Sequence, residues 1–380
     1  MKINAMTEMV KNSAAHFGFD AITISSAYPL EQDGQRYQNW CADGYAAGLQ
    51  YMMRPFPRRW VPQDLLPSAR SVISLAVNFY GDPHRVLPRS GFGRVARYAW
   101  GLDYHEVLLQ RISEWLKTLK ESAGSSMESK ILIDSSPLLE RAFAARGNMG
   151  FIGKNTLLIS RKLGSFIFLA EVLTNLDLSP DLSSDLPPDL PNSIASPNVA
   201  NVANVSNVAN IAKENSKDAC GSCRQCIVDC PTNALQPGRR LDARKCISFW
   251  TIENRSAIPL EMREGIGHWV FGCDVCQEVC PYEGISPPSR WKEFSPSSGC
   301  GPYLSIVEIL EIQEEEDFKN RFRGTPILRT KRDGLVRNAC IVAGNQKLQK
   351  ALPHLEKILQ KDKSPMVQEH AQWAIQKIIS

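Results

Sequence analysis

Four cysteines fall within the stretch CGSCRQCIVDCP, at positions 220, 223, 226 and 230, and a proline follows the last. Thiolates bind soft metal centres, and a cubane iron–sulfur cluster takes four of them. Turns returning every third residue aim three sulfurs at one cluster, while a fourth cysteine ahead of a proline serves a neighbouring one. The idea repeats in CDVCQEVCP, which supplies Cys273, Cys276 and Cys280 and is one cysteine short. Cys246, in ARKCISFW, is the only cysteine between the two runs and fills the place. The expected ligand sets are Cys220, Cys223, Cys226 and Cys280 for one [4Fe-4S] cluster, and Cys230, Cys246, Cys273 and Cys276 for the other. Structural zinc sites also use CxxC pairs, but two CxxxCP endings favour iron–sulfur. Cys41, Cys300 and Cys340 are left for packing. Paired clusters pass electrons singly and do not by themselves transform a substrate, so these runs read as a conduit.

The rest of the chain must position that conduit. Its 380 residues allow two or three domains, and 43% hydrophobic with 22% charged residues is ordinary globular composition. No run of eighteen apolar residues predicts a membrane span. The N-terminus reads as an amphipathic helix running into a strand rather than a signal peptide, so a cytoplasmic protein is expected. Eleven cysteines in that compartment point to metal rather than disulfides. Within residues 1–175, AITIS, SVISLAVNFY, KILIDSS and SFIFLAEVL have strand character, and YHEVLLQRISEWLKTLKES carries apolar positions at helical spacing. An α/β domain is expected there. No GxGxxG or Walker-type loop appears, which weighs against dinucleotide or nucleoside triphosphate chemistry.

Residues 176–217 combine Pro-Asp-Leu with Asn-Val-Ala repeats and read as a linker or insertion. Residues 218–300 hold the cysteine runs. Residues 301–380 read as helical, with LVRNACIVAGN and MVQEHAQWAIQ as two copies of one inner helix centred on Ala339 and Ala371. From Lys319 onward there are thirteen Lys or Arg against four Asp or Glu, within a net charge of +4 for the whole chain. Such a block suits a polyanion such as nucleic acid, or simply a solvated helical face.

RYAWGLDYH (97–105), ILIDSSPLLERAFAARGNMGFIGKNTLLI (131–159), the two cysteine runs, CISFWTIE and the repeat tail occur in an order that resembles the epoxyqueuosine reductases. The resemblance spans nearly the whole chain outside 176–217. It implies an α/β N-terminal cobalamin-binding domain, a bacterial-type di-cluster ferredoxin-like domain and a short C-terminal HEAT-like repeat. It also implies an enzyme with two [4Fe-4S] clusters and cobalamin. The implied reaction removes the epoxide oxygen of epoxyqueuosine at the wobble position of tRNAs with GUN anticodons, the last step of queuosine synthesis. Deoxygenation takes two electrons and two protons, so a cobalt centre with several oxidation states suits clusters that deliver electrons singly.

Asp134 is the expected proton donor, at the end of ILID, where desolvation would raise its pKa. The residues alone favour a helix cap before SSPLLERAF; the resemblance favours the acid. Tyr104 and His105 suit a pocket for the corrin or the base, or a half-buried histidine. GFIGKN is either a plain turn or a place where the Gly153 backbone approaches the corrin, with Lys154 and Asn155 on its amides. The resemblance adds Arg59, Leu158, Leu169 and Ser248 as cofactor contacts. DPHRVL has Asp82 and His84 but Leu87 in place of the glycine of the cobalt-ligating DxHxxG pattern, so no histidine is expected on cobalt there. For the tail it implies tRNA contacts by Arg321, Arg323, Arg329, Lys331, Arg332 and Arg337, with affinity that falls steeply with salt. A monomer served by an external low-potential electron donor is expected. The rival readings are a dicluster electron carrier, a reductive dehalogenase-like enzyme acting on a small molecule, and an RNA-binding repeat with structural clusters.

Overall fold

The computed structural model describes residues 3–81, 86–181 and 219–380. Asp82 and His84, and most of the expected insertion, lie outside the described residues. Up to residue 181 the chain forms helices α1 (Ile3–His16), α2 (Glu31–Ala42), α3 (Tyr104–Ala123) and α4 (Glu140–Arg146). It also forms strands β1 (Ala21–Ser26), β2 (Ser71–Asn78), β3 (Phe92–Val95), β4 (Ser129–Leu132), β5 (Phe151–Ile152), β6 (Leu158–Ile159) and β7 (Ile167–Thr174). The main sheet has the order β1-β2-β7-β4, and its strands are those the apolar runs predicted. Every neighbouring pair is antiparallel. The expected α/β domain is therefore α+β in its strand directions, because no two neighbouring strands of its main sheet run parallel.

Both faces of the sheet are covered, which is why β2 is buried at every position. On one face, Ile73, Leu75 and Val172 pack with Val10 and Ala14 of α1 and with Leu108, Ile112 and Trp115 of α3. The three- and four-residue spacing of those α3 positions gives the helix its inner stripe. Asp103 caps it by accepting the His105 N–H at 3.0 Å, and Gly124 ends it at φ 100°. On the other face lies α4, with Phe143 and Ala144 fully buried against Val72, Leu173 and Ala76.

From residue 219 the chain adds α5 (Gln225–Val228), β8 (Leu235–Gln236), β9 (Arg240–Leu241), α6 (Leu260–Ile266), β10 (Trp269–Phe271), α7 (Val275–Glu278) and β11 (Tyr303–Ser305). The helical tail is α8 (Ile306–Leu310), α9 (Glu315–Arg321), α10 (Lys331–Asn345), α11 (Leu352–Lys361) and α12 (Pro365–Ile379). A second sheet, β10-β3-β11, joins strands from three regions of the sequence. One apolar core runs from Val95 and Trp100 through Ile252 and Phe271 to Leu335 and Ala371. The borders expected at 175, 218 and 300 thus separate stretches of sequence that share a sheet and a core.

Within the tail, Ala339 of α10 and Ala371 of α12 are both fully buried. A Cβ on Gly344 would lie 2.6 Å from the Trp373 ring, so these helices approach closely because small residues line the contact. No described helix is long and apolar enough to cross a membrane.

Candidate active site and cluster loops

The two CxxxCP endings fold alike. Cys226 sits in α5 and Cys276 in α7, and the two four-residue helices pack against each other. Burial dominates the surroundings of these thiols and pushes them up, Cys280 to about 11. Their mutual charges reveal who is near whom. Cys226 feels Cys220 and Cys223, while Cys280 feels Cys220 and Cys226. Cys246 feels Cys230, and Cys273 feels Cys276 and Cys246. Cys276 feels Cys246, Cys226 and Cys230, which brings the two foursomes side by side. Among the described residues no three Cys, His, Asp or Glu side chains converge on one metal point. Two spread foursomes of thiols fit cubanes, where each thiolate holds its own iron.

The β5–β6 turn reaches both cysteine loops. Lys154 Nζ donates to the carbonyls of Gly221 at 2.6 Å and Cys223 at 3.0 Å. Asn155, buried, donates from Nδ2 to the Cys276 carbonyl at 3.3 Å. A Cβ on Gly153 would lie 2.4 Å from Ile159 Cδ1 and 2.7 Å from Asn155 Oδ1, so any larger residue would have to displace those side chains. Leu158 and Leu169 are buried in an apolar cluster with Ala144 and Met149. These five positions were expected to touch a cofactor. Lys154 and Asn155 clasp the cysteine loops, Gly153 lies in the hairpin turn, and Leu158 and Leu169 pack in the apolar cluster behind it. Ser248 lies beside Cys246, where its side chain slightly offsets the upward push of burial on that thiol. Just beyond it, Phe249–Glu253 forms a π-helical turn, a geometry frequent at functional sites.

Across from the cysteines, Asp134 follows β4 with φ at 40°, a left-handed conformation uncommon outside glycine. It does not cap α4, whose cap position is Leu139. Its Oδ2 accepts the Tyr104 hydroxyl at 2.7 Å and lies 3.5 Å from His105 Nε2, while His105 Nδ1 is 2.9 Å from Asp103 Oδ1. Burial opposes a charge on His105, but hydrogen bonds to Asp103 and Asp134, and their charges, raise it to about 9. Burial pushes the Asp134 carboxyl up, yet hydrogen bonds from His105 and Tyr104 and the charges of His105 and Arg141 bring it below its ordinary value. Desolvation therefore does not keep the proton on Asp134 as expected; the pair's proton rests on His105. Tyr104 stacks on Phe168 at 4.3 Å and on His105 at 4.1 Å, so both residues expected at a cofactor build the acid site.

The Asp134 carboxylate is 58% exposed, although the surrounding protein partly desolvates it. Around it stand Arg141, Tyr51 and Arg329, each within electrostatic reach. Arg329 pairs with Glu253 at 3.0 Å, and Arg59 donates to the Tyr51 carbonyl at 3.1 Å. Half-buried Tyr98 bridges the two sides, with Asp134 and Asp274 both acting on its hydroxyl. Tyr51, Arg141 and Glu253 were missed in the sequence, where no spacing marks them. Arg321, Arg323, Arg329 and Lys331 are exposed. Two other expected tRNA contacts are not available. Arg337 is fully buried and donates to the carbonyls of Asn254, Ser256 and Trp250. Arg332 is buried against Asp362 and the Ile312 carbonyl.

Two cysteine foursomes, in a chain that also carries a carboxylate–imidazole pair, define a double-cluster iron–sulfur oxidoreductase. Residues 219–283 match the family model "4Fe-4S double cluster binding domain", and residues 59–135 match "Epoxyqueuosine reductase QueG, DUF1730". The chain is 34% identical to an epoxyqueuosine reductase of Cyclobacterium marinum, over 88% of this chain and 96% of that one. It resembles a solved epoxyqueuosine reductase in complex with an epoxyqueuosine-modified tRNA-Tyr stem loop, with TM-score 0.82, 29% identity, and coverage of 98% of this chain and 90% of that one. A Bacillus subtilis epoxyqueuosine reductase, solved with its catalytic aspartate loop swung out of the active site, gives TM-score 0.80 and 28% identity over the same shares. The chain belongs to the epoxyqueuosine reductase family.

Proposed function

We propose that this protein reduces epoxyqueuosine to queuosine at the wobble position of tRNAs with GUN anticodons, as the final step of queuosine synthesis. The observation that carries the reading is the juxtaposition of the proton-holding Asp134–His105 pair with two foursomes of cysteines, in a chain of this family. Cys220, Cys223, Cys226 and Cys280 hold one [4Fe-4S] cluster, and Cys230, Cys246, Cys273 and Cys276 hold the other. They relay single electrons from an external low-potential donor. The Asp loop described in the Bacillus subtilis relative agrees with Asp134 as the acid residue here.

A cobalamin fits the chain in part. The exposed Asp134 carboxylate, Arg59, and Ser248 beside Cys246 are polar groups that would hold it. When bound it supplies a metal centre able to collect two electrons before they reach the substrate. The chain's own residues do the rest. Tyr104 and Asp103 hold the Asp134 carboxylate and the His105 ring in register, so a proton can pass from His105 through Asp134 to the departing oxygen. Exposed Arg321, Arg323, Arg329 and Lys331 contact tRNA phosphates, and the extruded wobble nucleotide enters between Arg329 and Asp134. The protein works as a cytoplasmic monomer.

The test is anaerobic reconstitution with iron, sulfide and cobalamin, followed by reaction with a strong reductant and tRNA bearing epoxyqueuosine. Digested tRNA should have lost one oxygen from the modified base. Retention of that oxygen, with both clusters and corrinoid present, overturns the reading.

A further inference from the structure

Behind the Asp134 loop lies a row of polar groups that the proposed reaction does not yet use. Glu171 sits in β7 opposite Ser74 of β2, and Ser74 in turn faces Thr23 of β1. Directly paired residues of antiparallel strands share a face, so Thr23, Ser74 and Glu171 form one line across three strands. That line runs beneath α4: a Cβ on Gly147 would lie 2.7 Å from Thr23 Oγ1. Glu171 is 0% exposed. Both its carboxyl oxygens, and the hydroxyls of Thr23, Ser25 and Ser74, are buried without a well-formed hydrogen bond in the protein, although the Ser74 hydroxyl stands near enough to Glu171 to favour its charged form slightly. Apolar neighbours, Val72 and Leu173 on one side and Ala76 and Leu169 on the other, seal the row.

Buried polar atoms left in this way cost stability unless ordered water or a shared proton joins them. A carboxyl group in the middle of a sheet is neutral under these conditions: burial and the charge of Glu140 hold Glu171 well above the ordinary range. Glu140, at the start of α4, is the link to the active site. Its carboxylate lies close enough to the Asp134 backbone N–H and carboxylate for both to act on it. Burial, then the charge of Asp134, raises it to about 7, against the opposing charges of Arg141 and His105. The charged and titratable groups facing this pair are therefore Asp134 from the loop, Tyr104 and His105 from α3, and Arg141 from α4.

We propose that Glu140 and Glu171 are a rear proton relay for the Asp134–His105 site. The inference rests on the epoxyqueuosine reading, because that reaction takes up two protons per turnover and a substrate seated against Asp134 covers its exposed face. After His105 and Asp134 have delivered a proton to the substrate oxygen, Glu140 returns one to them through ordered water. Glu171 reprotonates Glu140, and the resulting Glu171 carboxylate regains a proton along the Ser74 and Thr23 hydroxyls at the β1 side. No electron moves in these steps; each transfers one proton, and the two that reach the epoxide oxygen leave it as water. Glu140 and Glu171 are positioning and relay groups that do not touch the substrate.

The test combines infrared titration of the full-length protein without substrate and kinetics of the isosteric variants Glu140→Gln and Glu171→Gln. In the wild type, two protonated-carboxyl stretches should persist above the ordinary carboxylate range, one of them disappearing near neutral pH. Glu140→Gln should remove the titrating band, and Glu171→Gln the persistent one. On tRNA bearing epoxyqueuosine, both variants should keep the KM for tRNA but slow even the first turnover, whose second proton comes through the relay. Both should slow repeated turnover at least about tenfold, with a larger solvent isotope effect and a changed pH profile. Absence of the two bands, or variants with the wild-type pH profile and repeated-turnover rate, would overturn the relay. Should Glu171→Gln fail to fold, Glu140→Gln and the wild-type titration decide the matter. An inactive wild-type protein that nevertheless shows both bands would sink the substrate reading and leave the carboxyl pair standing.

Discussion

The His105 imidazole stands 3.5 Å from the Asp134 carboxylate and holds the proton that the pair shares. The folded pKa of His105, about 9, lies above its ordinary 6.5. Stability from this ring is therefore fully present below about pH 6.5 and is lost as pH rises through about 9. Partial exposure screens the interaction, so its worth is about 1–2 kcal/mol. Thermal melting from pH 6 to 10 should show this decline in the wild type, and His105→Gln should flatten it.

Turnover follows the same proton. Asp134→Asn keeps the shape of the loop but removes the group that passes the proton on. We expect a loss of about 10²–10⁴-fold in single-turnover rate with tRNA affinity retained. His105→Gln should lower the rate less and shift the alkaline limb of the pH profile. Full turnover by Asp134→Asn would remove this residue from the chemistry.

Cys280 lies beside Cys220 and Cys226 although more than fifty positions separate them in sequence. The spectroscopic signature lost in Cys280→Ala should therefore match that lost in Cys220→Ala, and Cys276→Ala should remove the other. Anaerobic iron analysis should fall from about eight per chain towards four in each variant. A Cys280→Ala protein resembling Cys276→Ala instead would reverse the crossing.

Lys154 places a cation and two hydrogen bonds on the loop that carries Cys223. Lys154→Met should leave the fold intact, lower the reduction potential of the first cluster, and hasten its bleaching in air. Redox titration followed by electron paramagnetic resonance reads the first effect. A potential unchanged from wild type would reduce Lys154 to a surface contact.

The tail arginines divide by burial. Arg329→Ala or Arg323→Ala should weaken tRNA binding and reduce the salt dependence by about one counterion each. Arg337→Leu should instead strand the carbonyls of Asn254, Ser256 and Trp250, lowering stability by at least about 3 kcal/mol. Filter binding across a salt series and thermal melting separate the two behaviours.

Local sequence carried a great deal. The CxxCxxCxxxCP spacing specifies cluster chemistry because turn geometry acts over a few residues. The four strands of the main sheet and the helix from Tyr104 were legible because apolar periodicity is local and strong. The aspartate cap was not: the residues pointed to Asp134, whereas Asp103 caps the helix from Tyr104. The dense basic run ahead of the two buried repeat helices was plain.

What lies far apart in sequence was settled only by packing. Arg337 and Arg329 look alike in the chain, yet one is sealed in the core and the other is exposed. Lys154 and Asn155 reach the cysteine loops because the β5–β6 turn is delivered there by tertiary contacts. Only the resemblance marked Asp134 as the expected acid, and its protonation was not legible at all, since that depends on His105 and Tyr104 arriving from another element. Residue types and short spacings set the chemistry available to this protein. Burial, and charges brought together from distant positions, decide which groups hold the protons and which cations are free to meet a polyanion, because electrostatic energies depend on distance and solvent access in space rather than on order along the chain.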